Sequence, residues 1–217
     1  MATFAPPQPT PIYRLVHVDC LATLLTRGVL HAPNVTPNDG LPYRTIHDTS
    51  VQASRRVKPV PCGPGGTVHD YLPFYFGARS VMLFKLKTGQ VAGYAEGQEP
   101  LIYLVSTAQA VAAAGNAFVF TDGHGLATFT AWFTDLARLE AVDWPLLAAQ
   151  YWNDTPQDND RQRRKQAEFL VWQSLDWGSI RGIGVLNAEM KARVEGILGQ
   201  HPQRKQVTVK VLPDLYY

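Results

Sequence analysis

Cysteine is nearly absent from this 217-residue chain: Cys20 and Cys62 are its only two, with neither CxxC spacing nor a histidine at zinc-finger distance. That pattern excludes a disulfide framework and a structural zinc site, and free thiols in a cytoplasmic protein are expected. Charge is also sparse, with 18% charged residues and a net charge of +2, so the chain is not basic throughout. No apolar run is long enough to span a bilayer, and residues 1–11 lack the charged and apolar regions of a signal peptide, so no membrane association is expected. The glycines in Cys62-Gly63-Pro64-Gly65-Gly66-Thr67 lead into no Gly-Lys-Ser/Thr, and no GxGxxG opens a helix. A Walker loop and a dinucleotide-binding fingerprint are thereby rejected, and turn chemistry accounts for the glycines.

Hydrophobic residues make up 46% of the chain, enough for a substantial core. The proline-rich residues 1–11 read as a flexible arm, and 12–217 as one domain. Ile12 to Val18 alternates as a strand carrying His17 near its end, and Asp19 can cap a short helix that Gly28 closes. Ala32 to Asp70 lacks periodicity, and a loop of that length is usually functional or disordered. It holds the pair Arg55-Arg56. Tyr71 to Gly77 is densely aromatic, suited to a core or to stacking a flat ring. Strands are expected over Ser80–Leu86, Leu101–Val105, Ala117–Phe120, Ile180–Leu186 and Gln206–Leu212, with helices over Thr107–Ala114, Pro145–Trp152 and Ala188–Leu198. Strands outnumber long helices and do not alternate with them, so the class is α+β.

Positive charge is clustered, most densely in Arg161, Arg163, Arg164 and Lys165. Immediately after comes Ala167-Glu168-Phe169-Leu170-Val171-Trp172, which reads as a strand with one carboxylate at its start. A basic loop gripping a polyanion over a fixed carboxylate is one reading; a solvated loop before an ordinary strand is the other.

Several longer blocks carry a family resemblance. Tyr13-Arg14-Leu15-Val16-His17, Val60-Pro61 with Gly63 to Gly66, His69 through Leu83 and Arg161 through Val171 together resemble the DarT family, toxin DNA ADP-ribosyltransferases paired with a macrodomain antitoxin. The similarity runs from about residue 11 to 217. It implies two facing, mostly antiparallel sheets around a cleft for NAD, with peripheral helices, in a protein expected to be a monomer. It implies transfer of ADP-ribose from NAD, a substrate, to a base in single-stranded DNA, thymidine in the larger branch of the family, with no metal. Glu168 would stabilise the oxocarbenium-like transition state and hold a ribose hydroxyl, His17 would orient the other ribose, and Tyr75 would pack on the nicotinamide. Either Arg55 or Arg56 matches the family's functional arginine. Arg55 is the preferred clamp on an NAD phosphate or the base anion. Arg161, Arg163, Arg164 and Lys165 would track the DNA backbone. The competing readings are an RNA-directed toxin, a noncatalytic nucleic-acid-binding module, and a same-fold NAD-dependent tRNA phosphotransferase.

Overall fold

The computed structural model describes residues 5–217. Its strands are β1 (Pro11–His17), β2 (Val29–His31), β3 (Tyr71–Tyr75), β4 (Leu101–Thr107), β5 (Phe118–Thr121), β6 (Trp132–Phe133), β7 (Glu168–Trp172), β8 (Ser174–Asp176), β9 (Gly182–Val185) and β10 (Thr208–Val211). The helices are α1 (Leu21–Arg27), α2 (Thr49–Val57), α3 (Val81–Lys87), α4 (Ala108–Ala113), α5 (Trp144–Ala148), α6 (Arg161–Arg164) and α7 (Ala188–Gly199). Eight strands form one sheet in the order β10-β9-β4-β1-β3-β7-β5-β6, and β2 pairs with β8 in a small second sheet. Only the β9–β10 pair is parallel among those described. The class is α+β, as the scattered strands implied.

The large sheet is nearly divided at its middle. β1 and β4 pair along seven residues, from Pro11↔Thr107 to His17↔Leu101, whereas β1 and β3 meet only at Tyr13↔Tyr75. Pro73 supplies the reason. Its carbonyl faces β1, where it accepts a hydrogen bond from the Arg14 guanidinium at 2.9 Å, so the nitrogen without a hydrogen faces β1 too. A backbone ladder cannot continue past it, and a side chain bridges the gap instead. Two half-sheets, β10-β9-β4-β1 and β3-β7-β5-β6, therefore part around a hinge at Tyr13 and Tyr75, the facing arrangement that the resemblance implied.

Strand periodicity assigns the faces. Ile12, Val16, Leu72, Phe74, Phe169 and Val171 enter the main core, joined by Leu21, Leu24 and Leu25 of α1 and Val194 and Leu198 of α7. Tyr13, Leu15, Tyr71, Pro73, Tyr75 and Glu168 alternate with them and line the opening on the other face. Burying a core leucine or phenylalanine is worth about 1.5–3 kcal/mol, so slipping either strand by one residue would exchange core for cleft at large cost. Gly28 ends α1 at φ 70°, the left-handed conformation foreseen for it.

Several expectations differ from the structure. Asp19 does not cap α1, whose N-cap is Cys20 and which has no side-chain cap. Ser80–Leu86 is not a strand: the Ser80 hydroxyl accepts from the Leu83 N–H at 3.2 Å and caps α3, whose apolar run fits either period. The aperiodic stretch 32–70 contains α2, capped by the Asp48 carboxylate on Ser50 N–H at 2.9 Å. Its one buried residue is Arg55, so it has no apolar stripe to reveal it. The basic run is the short helix α6 rather than a hanging loop. Of the arm, residues 1–4 lie outside the described residues; Thr10 is buried and its N–H donates to Gln109 Oε1 at 2.9 Å. Among the described residues no helix is long and apolar enough to cross a membrane.

Candidate active site

The cleft between the half-sheets encloses about 240 Å³. β1 and β3 supply its floor at the hinge, α2 one wall with Asp48, Val51, Gln52 and Arg55, and α3 another with Met82 and Lys85. Gln162 of α6, Gln166 and His124 complete the lining near Glu168.

Glu168 opens β7 directly opposite Tyr75, which is itself opposite Tyr13, so the three residues form one row across the hinge. The carboxylate is 1% exposed and the facing Arg55 6%. Two hydrogen bonds join them, from Arg55 Nη1 to Oε1 at 3.1 Å and from Nη2 to Oε2 at 2.7 Å. The Gly125 N–H also donates to Oε1 at 2.9 Å, and a Cβ there would stand 3.2 Å from that oxygen, so only glycine lets the backbone come this close without displacing it. Burial alone would raise the Glu168 carboxyl, but Arg55, His124 and the Gly125 N–H hold it below the usual carboxylate value. Burial would lower Arg55, and Glu168 more than reverses that, so the guanidinium stays charged. The site is thus a fixed, ionised carboxylate in a dry cleft. Tyr75 is half-buried beside it, its phenol pushed upward by desolvation and then by Glu168.

Of the two candidate arginines, Arg55 reaches Glu168 and Arg56 points to solvent. They are one residue apart on a helix, so opposite outcomes follow from 100° of rotation. His17 is on the same face of β1 as Tyr13 and Leu15 but is absent from the cleft lining. It is buried near Tyr94, Arg44 and Glu96. Its Nδ1 accepts from the Asp19 N–H at 3.2 Å, which leaves the proton on Nε2. That buried Nε2 lies 3.4 Å from Glu96 yet makes no hydrogen bond.

Most of the basic run, expected to track the DNA backbone, is engaged within the protein itself. Lys165 is 1% exposed, and its Nζ donates to the carbonyls of Leu146 at 3.2 Å, Leu147 at 2.7 Å and Ala149 at 2.9 Å. Burial, then Arg79, draws its pKa down to about 8. Arg163 is paired with Asp122 at 2.8 Å and Asp160 at 2.6 Å, and Arg164 with Asp143 and Asp158. The two arginines are thus paired with carboxylates and Lys165 is surrounded by carbonyls, and all three hold the basic run in place. Arg161 and Lys165 have no carboxylate partner among the described residues, but Lys165 is buried, whereas the Arg161 guanidinium is near the surface and donates to the carbonyls of Tyr151 and Asn153.

The structure adds residues that sequence reasoning passed over. His124 follows the Asp122-Gly123 turn and interacts with Glu168; burial lowers its pKa, leaving it neutral. His69 is buried with Nε2 3.1 Å from Gln52 Oε1, and His47 is pushed down to about 4 by burial, then Arg14 and Arg55. A local signal existed only for His124, between two glycines after a strand. Among the described residues no group of three or more His, Cys, Asp or Glu side chains is clustered to hold a metal ion.

A mostly antiparallel split sheet, an acidic residue opening the second strand from the split, and a cleft above it define an ADP-ribosyltransferase fold. Comparison with known proteins specifies which branch. The family model described as "ssDNA thymidine ADP-ribosyltransferase, DarT" matches residues 13–217. A DNA ADP-ribosyl transferase of Thermus sp. (strain 2.9) is 41% identical over 97% of this chain and 98% of its own. One from Escherichia coli O127:H6 is 36% identical over 89% and 88%. The structure of Thermus sp. 2.9 DarT in complex with ADP-ribosylated ssDNA superposes with a TM-score of 0.92 at 40% identity, covering 99% of this chain and 100% of that one. The same relative in complex with NAD+ gives 0.88 over 98% and 100%. This chain belongs to the DarT family.

Proposed function

We propose that this protein is the toxin of a toxin–antitoxin pair and transfers ADP-ribose from NAD+ to thymidine in single-stranded DNA. The observation that carries the reading is the buried, ionised Glu168 at the hinge of the split sheet, gripped by Arg55 and the Gly125 N–H. One relative of the same length has been seen both with NAD+ and with ADP-ribosylated ssDNA.

The chemistry follows from the charges. As the bond from the ribose carbon to nicotinamide breaks, nicotinamide leaves with the electron pair and positive charge develops on the ribose. A preorganised carboxylate in a dry site stabilises that charge without reorganisation. Glu168 has this role, with a second one in binding a ribose hydroxyl. Tyr75, opposite it in the sheet, packs on the nicotinamide. The dinucleotide extends along β1, whose far end carries His17 with a proton on an unpartnered Nε2, a donor for the second ribose. Thymine N3 then bonds to the ribose carbon and its proton must leave. Arg55 stays protonated, so it acts as an electrostatic clamp on phosphate or the base anion. The neutral His124 beside Glu168 is the group able to accept the proton. Work as a cytoplasmic monomer, opposed by a macrodomain antitoxin, completes the proposal.

N3 of thymine is hidden by Watson–Crick pairing, and opening a pair costs on the order of a few kcal/mol. Incubation with NAD+ and a single-stranded oligonucleotide, its duplex, and the matching RNA, followed by mass spectrometry, tests the reading. The single strand should gain ADP-ribose while the duplex does not. Equal labelling of the duplex would refute the free-base argument, and preference for RNA would favour an RNA-directed toxin.

A further inference from the structure

Phe129 is 89% exposed and Tyr151 77%, the two most exposed large apolar side chains among the described residues. Neither sits on a loose segment. Phe129 precedes Thr130, which is buried and donates through Oγ1 to the His124 carbonyl at 2.7 Å. Tyr151 precedes Trp152, which is buried and donates through Nε1 to the Tyr217 hydroxyl at 2.7 Å. Each ring is held out in solvent by an anchored neighbour.

Both loops are fastened to α6. The Arg163 carbonyl accepts from the His124 N–H at 2.9 Å, and its guanidinium binds Asp122 at the start of the Phe129 loop. Arg161 donates through Nη2 to the Tyr151 carbonyl at 2.8 Å. Between these two arginines Gln162 lines the cleft, and His124 lines it from the Phe129 loop. The basic run therefore ties the two loops that carry exposed aromatics to a helix whose Gln162 lines the cleft that holds Glu168. Burying an aromatic ring is favourable, so fixed, exposed rings on loops fastened to the wall of the cleft mark a surface covered in use.

We infer that Phe129 and Tyr151 are stacking residues for nucleobases flanking the modified thymidine, and that Arg161 supplies the phosphate contact beside them. The inference rests on the single-stranded DNA reading above and names the surface that takes the strand. Ring-on-base stacking requires unpaired bases and tolerates any sequence, which suits a substrate that must arrive unpaired. Arg161 is the member of the run that has no carboxylate partner among the described residues and is not buried. Single-strand binding then draws on two faces and one charge rather than on a basic loop.

The test is fluorescence anisotropy of a labelled single-stranded oligonucleotide with the full chain, alongside transfer kinetics. Phe129→Ala and Tyr151→Ala should each weaken binding about five- to a hundredfold. The loss should appear in KM for DNA and not in KM for NAD+, and Phe129→Trp and Tyr151→Trp should retain affinity. Removing one flanking base to leave an abasic site should weaken wild-type binding comparably and add little in the alanine variant that lost its stacking partner. Affinities within twofold of wild type for both alanine variants would overturn the inference, as would full additivity with every abasic position. Wild-type protein that binds the oligonucleotide without transferring ADP-ribose would sink the functional reading instead, while the anisotropy series still decides the stacking.

Discussion

Replacing Glu168 by glutamine should remove two things at once, activity and a large share of stability. The carboxylate is 1% exposed and neutralises a guanidinium that is 6% exposed. Glutamine keeps the shape but presents an NH2 to one of the Arg55 nitrogens now held at 2.7 and 3.1 Å, so a donor meets a donor around an uncompensated buried charge. Removing one member of a buried pair costs roughly 3–5 kcal/mol. For a chain of this size that corresponds to a fall in Tm of about 6–20 °C. Loss of the electrostatic term in the reaction removes about 3–4 kcal/mol of transition-state stabilisation, some hundredfold or more in rate. Arg55→Met should destabilise comparably, and the double variant Glu168→Gln, Arg55→Met should recover much of the stability while remaining inactive. Urea unfolding read by fluorescence, with NAD+-dependent labelling of an oligonucleotide, measures both quantities. A Glu168→Gln protein with wild-type stability would refute the pairing argument, and near-normal turnover would remove Glu168 from the mechanism.

The salt dependence of DNA binding should separate the cations of α6. Arg161→Gln should reduce the slope of log affinity against log salt by about 0.7, one single-strand phosphate contact, whereas Lys165→Met should leave the slope unchanged. Lys165→Met should instead cost roughly 1–3 kcal/mol of stability, since it strands the carbonyls of Leu146, Leu147 and Ala149; equal slopes for both variants would contradict the assignment. Stability should also fall in mild acid. His47 in the folded protein titrates at about 4 rather than 6.5, so below pH about 6.5 the unfolded chain binds a proton that the folded one refuses. Stability is therefore lost as pH drops through that window and is unaffected above it. Glu168 acts in the same direction lower down: its contribution is present above its unfolded value of 4.5 and vanishes as pH falls through its depressed folded value. Urea midpoints against pH should show the upper slope flatten in His47→Gln; an unchanged profile would move the titration elsewhere.

Local pattern made much of the fold legible. Alternation in Ile12–Val18 and the apolar run after Glu168 place β1 and β7, and the Asn187 side chain on the Met190 N–H begins the long helix α7 where its periodicity starts. Long motif blocks around Tyr71–Leu83 and Gln166–Leu170 carried the family, and the family carried NAD and DNA, which no periodicity could supply. What failed to show was whatever depended on a distant partner. α2 has no apolar stripe because its buried face ends in Arg55, whose counterion lies 113 residues away. Likewise, four cations within five residues read as a free basic patch until Asp122, Asp143, Asp158 and Asp160 were brought beside Arg163 and Arg164. A residue's charge is written in the sequence, but whether that charge is exposed, paired or spent on carbonyl oxygens is set by residues that only folding brings within a few ångströms. Hence the sequence determined most of the long strands, the family and the carboxylate, and the tertiary structure alone decided which arginine faces it and which cations are paired within the protein.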